Sequence, residues 1–238
     1  MKYSHIKLIN IFLLLVFVTV DLSAQQKKIG VYCEINGPIF FERGPLILNV
    51  PSERSRLKKV DSSDINSKFE DLFNFYKNNI SNPTLELGRI ADTILNDNNY
   101  SVILIKENFS DDSIFPVFKK SKTDRSFFQK DLRSLKEKYG VDSIILIRGE
   151  YGFELEKIYS FANGDKRNSM LLRITLIDLN NNRLRAYGER YTTRIVLHWN
   201  QPPNYPTVAE GYNDLFYNKI IPMFKRKMKN LLEGKKML

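Results

Sequence analysis

The chain predicts an α/β fold: a mixed sheet with crossover helices in its N-terminal half, a β-meander after residue 148, and a C-terminal helix. Three observations carry this reading. Up to residue 148, short apolar runs of strand length alternate with amphipathic helical stripes, the order expected of strands joined by helical crossovers. From Met170 to Thr193 the pattern changes to alternation, with Leu172, Ile174 and Leu176 on one face and Arg173 and Thr175 on the other. From Tyr212 to Leu231 a single apolar stripe returns.

The elements follow in order. Lys28 to Cys33 (KIGVYC) reads as the first strand, and Leu46 to Val50 as a short second one between Gly44-Pro45 and Pro51. Ser52 to Lys59 is polar and basic, and reads as a loop. Ile65, Phe69, Leu72, Phe73, Tyr76 and Ile80 recur at three- and four-residue steps, one face of a helix. Asn82-Pro83 opens a second helix, Asn as cap and Pro in the first turn, with Leu87, Ile90, Ala91, Ile94 and Leu95 as its stripe. Ser101 to Lys106 (SVILIK) is continuous enough for a buried strand. Asn108 to Arg125 is polar and reads as a loop. Phe128, Leu132, Leu135 and Tyr139 mark a helix stopped by Gly140, and Val141 to Arg148 is the next buried strand. Phe161 to Asp165 reads as a turn, and Leu179 to Arg183 joins the two strands of a hairpin. Thr207-Val208-Ala209-Glu210 matches a capping box ahead of a helix carrying Tyr212, Phe216, Ile220, Phe224, Met228 and Leu231, in which Pro222 predicts a kink.

The first 24 residues carry an address. Lys2 and Lys7 precede an apolar run from Leu8 to Val20, and Ser23-Ala24 offers a cleavage point before Gln25. That is the pattern of a secretory signal peptide (1–24), and the run is short for a bilayer span. Residues 25–238 then form one domain. With 42% hydrophobic residues in the chain they can build a core, and the single cysteine, Cys33, excludes an intrachain disulfide. The expected location is exported: periplasmic, outer-membrane associated or extracellular. Of the formal +10, +9 remains after removal of Lys2, Lys7 and Asp21, and it concentrates at the C-terminus. Lys225, Arg226, Lys227, Lys229, Lys235 and Lys236 face only Glu233 there, a candidate contact for an anionic membrane surface or another polyanion. Export argues against nucleic acid as the partner.

Catalytic motifs are scarce. His5 leaves with the leader, so His198 is the sole mature histidine; no nucleophile elbow, phosphate loop or zinc-protease helix occurs. No metal or other cofactor is expected. Asp178-x-Asn180-x-Asn182 with Glu189 imitates a calcium loop, but Arg183 stands where that loop needs glycine, and a hairpin turn accounts for the asparagines. Glu150, Glu154, Glu156 and Glu189 are the carboxylates a hydrolase would draw on. The most unusual stretch is His198 to Pro206, with the only Trp (Trp199), three prolines and Tyr205. His198, Trp199 and Tyr205 are candidate partner-binding residues on a stiff connector.

The arrangement of KIGVYC near the start, helices, KYGVDSIILIRGE and then LRITLIDLNNNRLRAYGERY resembles a group of bacterial envelope domains. These are the periplasmic domain of the curli secretion channel, the lipoprotein activators of penicillin-binding proteins and the N-terminal domain of TolB. Gly140, Val141 and Asp142 match their helix-to-strand junction, and Asp178 to Arg185 matches their hairpin. The chain departs from them in lacking a lipidation cysteine and a glycine in the hairpin turn. The resemblance implies a non-enzymatic adaptor or assembly module of the envelope that binds a protein partner. The alternatives are a membrane-surface or polyanion-binding protein using the basic helix, and a carboxylate-dependent hydrolase.

Overall fold

A computed structural model describes residues 26–43, 57–59, 70–109, 113–159, 162–197 and 205–234. In chain order the elements are β1 (Lys27–Arg43), β2 (Leu57–Lys59), α1 (Glu70–Asn79), α2 (Thr84–Asp97), β3 (Tyr100–Leu104), α3 (Ser134–Tyr139), β4 (Ser143–Tyr159), β5 (Ala162–Asp178), β6 (Arg183–Leu197), α4 (Tyr205–Asn213) and α5 (Ile221–Leu232). A π-helical stretch, Asp214–Ile220, joins α4 to α5.

The mixed α/β sheet is as the sequence predicts. It runs β2-β1-β4-β5-β6, with β3 also on β1. β3 pairs in parallel with the start of β1, Lys27 to Val31, and β4 pairs in parallel with β1 from Gly30 to Arg43, the products of helical crossovers, while β4, β5 and β6 form an antiparallel meander. The meander strands run longer than the alternation suggests: β4 continues to Tyr159 and β5 begins at Ala162, so Ala162 to Asp165 belong to a strand rather than a turn. The close pairing needs glycine where backbones meet. A Cβ on Gly152 would lie 1.7 Å from the Ile39 carbonyl oxygen, beside the bulge of β1 between Asn36 and Ile39.

β1 has two neighbours in tandem on one edge. β3 accompanies it from Lys27 to Val31, and β2 meets it at Phe41 to Arg43. Side chains at the start of α2 serve the gap. Thr84 Oγ1 accepts the Ile35 N–H at 2.9 Å, and Asn82 Nδ2 donates to the Ile35 carbonyl at 3.3 Å. Asn82 Oδ1 also accepts the Thr84 N–H at 2.8 Å, while Pro83, already helical in its backbone, takes the cap position ahead of Thr84, one residue later than the Asn-Pro pair predicts.

Two cores lie on opposite faces of the sheet. The larger sits under α1, α2, α4 and α5: Val31, Ile35, Ile145, Ile147, Tyr151, Met170 and Ile174 meet Tyr76, Leu87, Leu95, Phe216, Phe224 and Met228. The smaller packs Ile144, Leu146, Ile177 and Leu179 under Ile105, Phe109, Phe115, Leu132 and Leu135. It covers only the end of its face near the 178–183 turn. The helical stripes read from the sequence fall where expected, with Tyr76, Ile80, Leu87, Ile90, Ala91 and Leu95 buried, as are Tyr212, Phe216, Ile220, Phe224, Met228 and Leu231. Ile65 and Phe69 lie outside the described residues.

The π stretch has a reason in that last stripe. Its first five members recur every four residues, and in an α-helix each such step overshoots a full turn by about 40°. A wider turn cancels the drift and keeps Tyr212, Phe216, Ile220 and Phe224 on one side. Pro222 follows it, where it has no N–H to give to the preceding turn.

Other readings need correction. Leu57–Lys59 is a strand rather than loop, too short to show a period. Ser101 to Lys106 is not a fully buried strand; β3 pairs on one side only, and Leu104 is 59% exposed. Phe128 and Leu132 precede α3 rather than belonging to it. α4 starts at Tyr205, so Thr207 sits within its first turn with Pro206, not at a cap. The expected strand Leu46 to Val50 lies outside the described residues, as does the leader 1–24.

Candidate functional site

The sheet face opposite the helices carries charge where its core ends. Register aligns Glu34 (β1), Arg148 (β4), Arg173 (β5) and Glu189 (β6) in one row across four strands. Two arginines thus stand side by side on adjacent strands, an arrangement that is repulsive in isolation. Each glutamate is bonded by the tyrosine two residues before it, which points to the same face. Tyr32 OH donates to Glu34 at 2.7 Å, and Tyr187 OH to Glu189 at 2.8 Å. The two halves then differ. Arg173 Nε donates to Glu189 at 2.6 Å, a neutralised pair. Arg148 instead lies over the Phe128 ring, 5.5 Å from its centroid, and among the described residues no carboxylate lies within ion-pairing distance of it. Burial, and then the neighbouring Arg173 charge, push the Arg148 guanidinium below its ordinary value, while Tyr32 and Glu34 act the other way. Burial and the bond to Glu34 push the Tyr32 phenol up.

What holds Phe128 in place is the turn between β5 and β6. Asn182 adopts a left-handed backbone, φ 62°, and is fully buried. Its Nδ2 donates to the carbonyls of Phe128 (3.1 Å) and Lys130 (2.9 Å), its Oδ1 accepts the Leu132 N–H at 3.0 Å, and its carbonyl accepts the Phe128 N–H. One asparagine therefore clamps the 126–132 segment to the sheet. Burial alone would raise the nearby Asp178 carboxyl, but bonds from Arg185 and from Asn180 outweigh it and hold it below the usual carboxylate range. The turn reading of Asp178 to Arg183 accounts for these residues. Among the described residues no group of three or more His, Cys, Asp or Glu is placed to hold a metal ion.

The clamped segment and the sheet enclose a groove of about 690 Å³. Phe127, Phe128, Leu184 and Tyr187 give it apolar walls; Arg148 and Arg173 form its floor, and Lys122 and Arg125 stand on its rim.

The residues singled out from sequence lie elsewhere. His198 and Trp199 lie outside the described residues; Tyr205 begins α4, its side chain likewise outside them. Lys235 and Lys236 also lie outside. Lys225, Arg226 and Lys229 share the exposed side of α5, with Lys229 3.9 Å from Glu233. Lys227 is 7% exposed, and burial, then Arg190 and Arg226, lower its pKa. The apolar side of α4 and α5 is taken up in the larger core, so it offers no face for a bilayer. Among the described residues no helix is long and apolar enough to cross a membrane. Of the carboxylates, Glu154 is buried opposite Arg167 in the β4–β5 register, and Glu189 serves Arg173. The Cys33 thiol donates to the Thr84 carbonyl at 3.3 Å, and burial pushes it up to about 12. The sequence reading missed Arg148, Phe128 and Asn182 as parts of one site. Their signal, the arginines of two strands at equal register, is visible only once β4 and β5 are paired.

No protein-family model matches the chain, and no curated protein sequence matches it. Solved structures align with the chain at low similarity. A neuraminyllactose-binding hemagglutinin homolog from Helicobacter pylori aligns with a TM-score of 0.40 at 11% identity, covering 88% of each chain. A lipoprotein from Neisseria meningitidis aligns with a TM-score of 0.30 at 15% identity, over 82% of this chain and 99% of its own. A Xanthomonas campestris protein aligns with a TM-score of 0.40 at 8% identity, over 89% of this chain and 91% of its own. None of the three is one of the families whose element pattern the sequence resembles.

Proposed function

We propose that the protein is an exported, non-enzymatic adaptor of the bacterial envelope that binds a protein partner along the outer edge of β6 and the connector following it. The observation that supports this is the edge itself. β6 is the last strand of the sheet, 15 residues long. Its first residues are covered by the bridge between Phe127 and Arg183, and by the Leu184 N–H bonded to Ser126; beyond them no described strand pairs with its outer side. Such an edge is a template for a partner's strand, and the charges on β6 guard it against indiscriminate pairing. The Trp199 connector continues directly from its end. The leader pattern supports export.

The test is affinity capture from detergent-solubilised bacterial envelopes, comparing the wild type with Trp199→Ala. Loss of one specific protein in the variant supports the adaptor. A partner retained by Trp199→Ala but lost when Lys225, Arg226 and Lys229 are changed to Gln would replace it with the polyanion reading. Charge removal is the right comparison there, because truncation before Phe224 would strip Phe224, Met228 and Leu231 from the core.

A further inference from the structure

We propose that the groove between the 121–129 segment and the open sheet face is a binding site for a small soluble phosphomonoester, such as a phosphorylated sugar, held by Arg148 and Arg173. Three observations converge on this ligand. First, two guanidinium groups are placed on adjacent strands at equal register, an arrangement repulsive in isolation. A pair of planar forks suits an anion with several oxygens, each fork able to take two. Second, the groove's own lining is positive. Glu189 is engaged by Arg173 and Tyr187, and Glu34, beside Arg148 in the row, accepts from Tyr32 and forms no ion pair with Arg148; Arg148, Arg173, Lys122 and Arg125 line the groove with no carboxylate among its lining residues. That surplus fits a dianionic phosphate better than a single carboxylate. Third, the walls are Phe127, Phe128, Leu184 and Tyr187, and the groove's size is that of small-molecule sites. A bare inorganic ion would leave them unused, whereas the carbon skeleton of a sugar phosphate would lie along them. Arg148 is already withdrawn from water against Phe128, so little side-chain freedom remains to be lost on binding.

The experiment is calorimetric titration of the protein with glucose 6-phosphate, inorganic phosphate, glucose and phosphatidic acid vesicles. Measurements cover the wild type, Arg148→Gln, Arg148→Lys and a Lys225→Gln/Lys229→Gln control, with a thermal melt of each. Glucose 6-phosphate and inorganic phosphate should bind, the sugar phosphate more tightly, and glucose should not. Arg148→Gln should weaken binding at least about tenfold, as loss of a charged hydrogen-bond donor predicts. Arg148→Lys should lie between, and the α5 control should match the wild type. The melting temperature of Arg148→Gln should stay level or rise, because a like-charge contact is relieved; a purely structural arginine would lower it. Undiminished binding by Arg148→Gln, binding only to the vesicles, or no binding of either phosphate would overturn the proposal. None of these results bears on capture through Trp199.

Discussion

The two faces of the sheet are built from the same strands and obey different rules. The helix-covered face is closed by large side chains that interlock: Tyr76, Phe40 and Phe153 form an aromatic cluster with Tyr212, and the Tyr76 hydroxyl donates to the Gly152 carbonyl at 3.2 Å and to Asn168. Asn168 in turn donates to the Val208 carbonyl, so even the polar atoms there are spent on holding α1 and α4 to the sheet. The opposite face is closed over part of its length by a segment with little regular structure, kept in position by one asparagine. Where that cover stops, charged residues stand in register. The comparison teaches that stability is vested in the first face, and that the second tolerates a repulsive arginine pair because the first can bear it.

The contrast can be broken most forcefully on the helix face. Phe224→Ala should cost about 3–5 kcal/mol by urea denaturation, since the ring is fully buried where α5 meets the core. Asn182→Ala attacks the other face. It removes three side-chain hydrogen bonds and puts a Cβ-bearing residue with no polar compensation at positive φ, for a loss of about 2 kcal/mol or more. Its sharper signature is faster proteolysis at the 121–129 segment than in the wild type, with the helix face intact. Acid should weaken the same turn. The Asp178 carboxyl is held below its unfolded value, so the stability it contributes is complete above about pH 4 and is lost as the pH falls further through the folded value. Asp178→Asn should flatten that part of a stability-versus-pH curve. The smallest effect belongs to the exposed side of α5: Lys225→Gln, Arg226→Gln and Lys229→Gln together should shift stability by no more than about 0.5 kcal/mol.

The helix face was legible in the sequence because burial there is periodic. A four-residue apolar step announces a helix whatever it packs against, and the Leu172-Ile174-Leu176 alternation announces the strand face that receives it. The turn at Asp178 to Arg183 was legible for the same local reason, asparagine's tolerance of positive φ. The groove was not. Arg148 looks like the polar end of an apolar run, and Phe128 looks like the first rung of a helix, until Asn182 draws its backbone to the turn more than fifty residues later. Such a site rests on register between strands, which no stretch of one strand encodes. β2 escaped notice because its three residues show no pattern of their own and owe their conformation to the second half of β1.

The wide helical turn at Asp214–Ile220 has a bearing on descent. It holds one more residue than an ordinary turn would, and Pro222 follows while that slack lasts. Loss of a single exposed residue such as Asn218 would restore regular α-helical bonding and keep the apolar stripe in phase, but it would drive the proline ring against a carbonyl. The deletion and the replacement of Pro222 should therefore travel together among homologous chains, one length with proline and the shorter length without it.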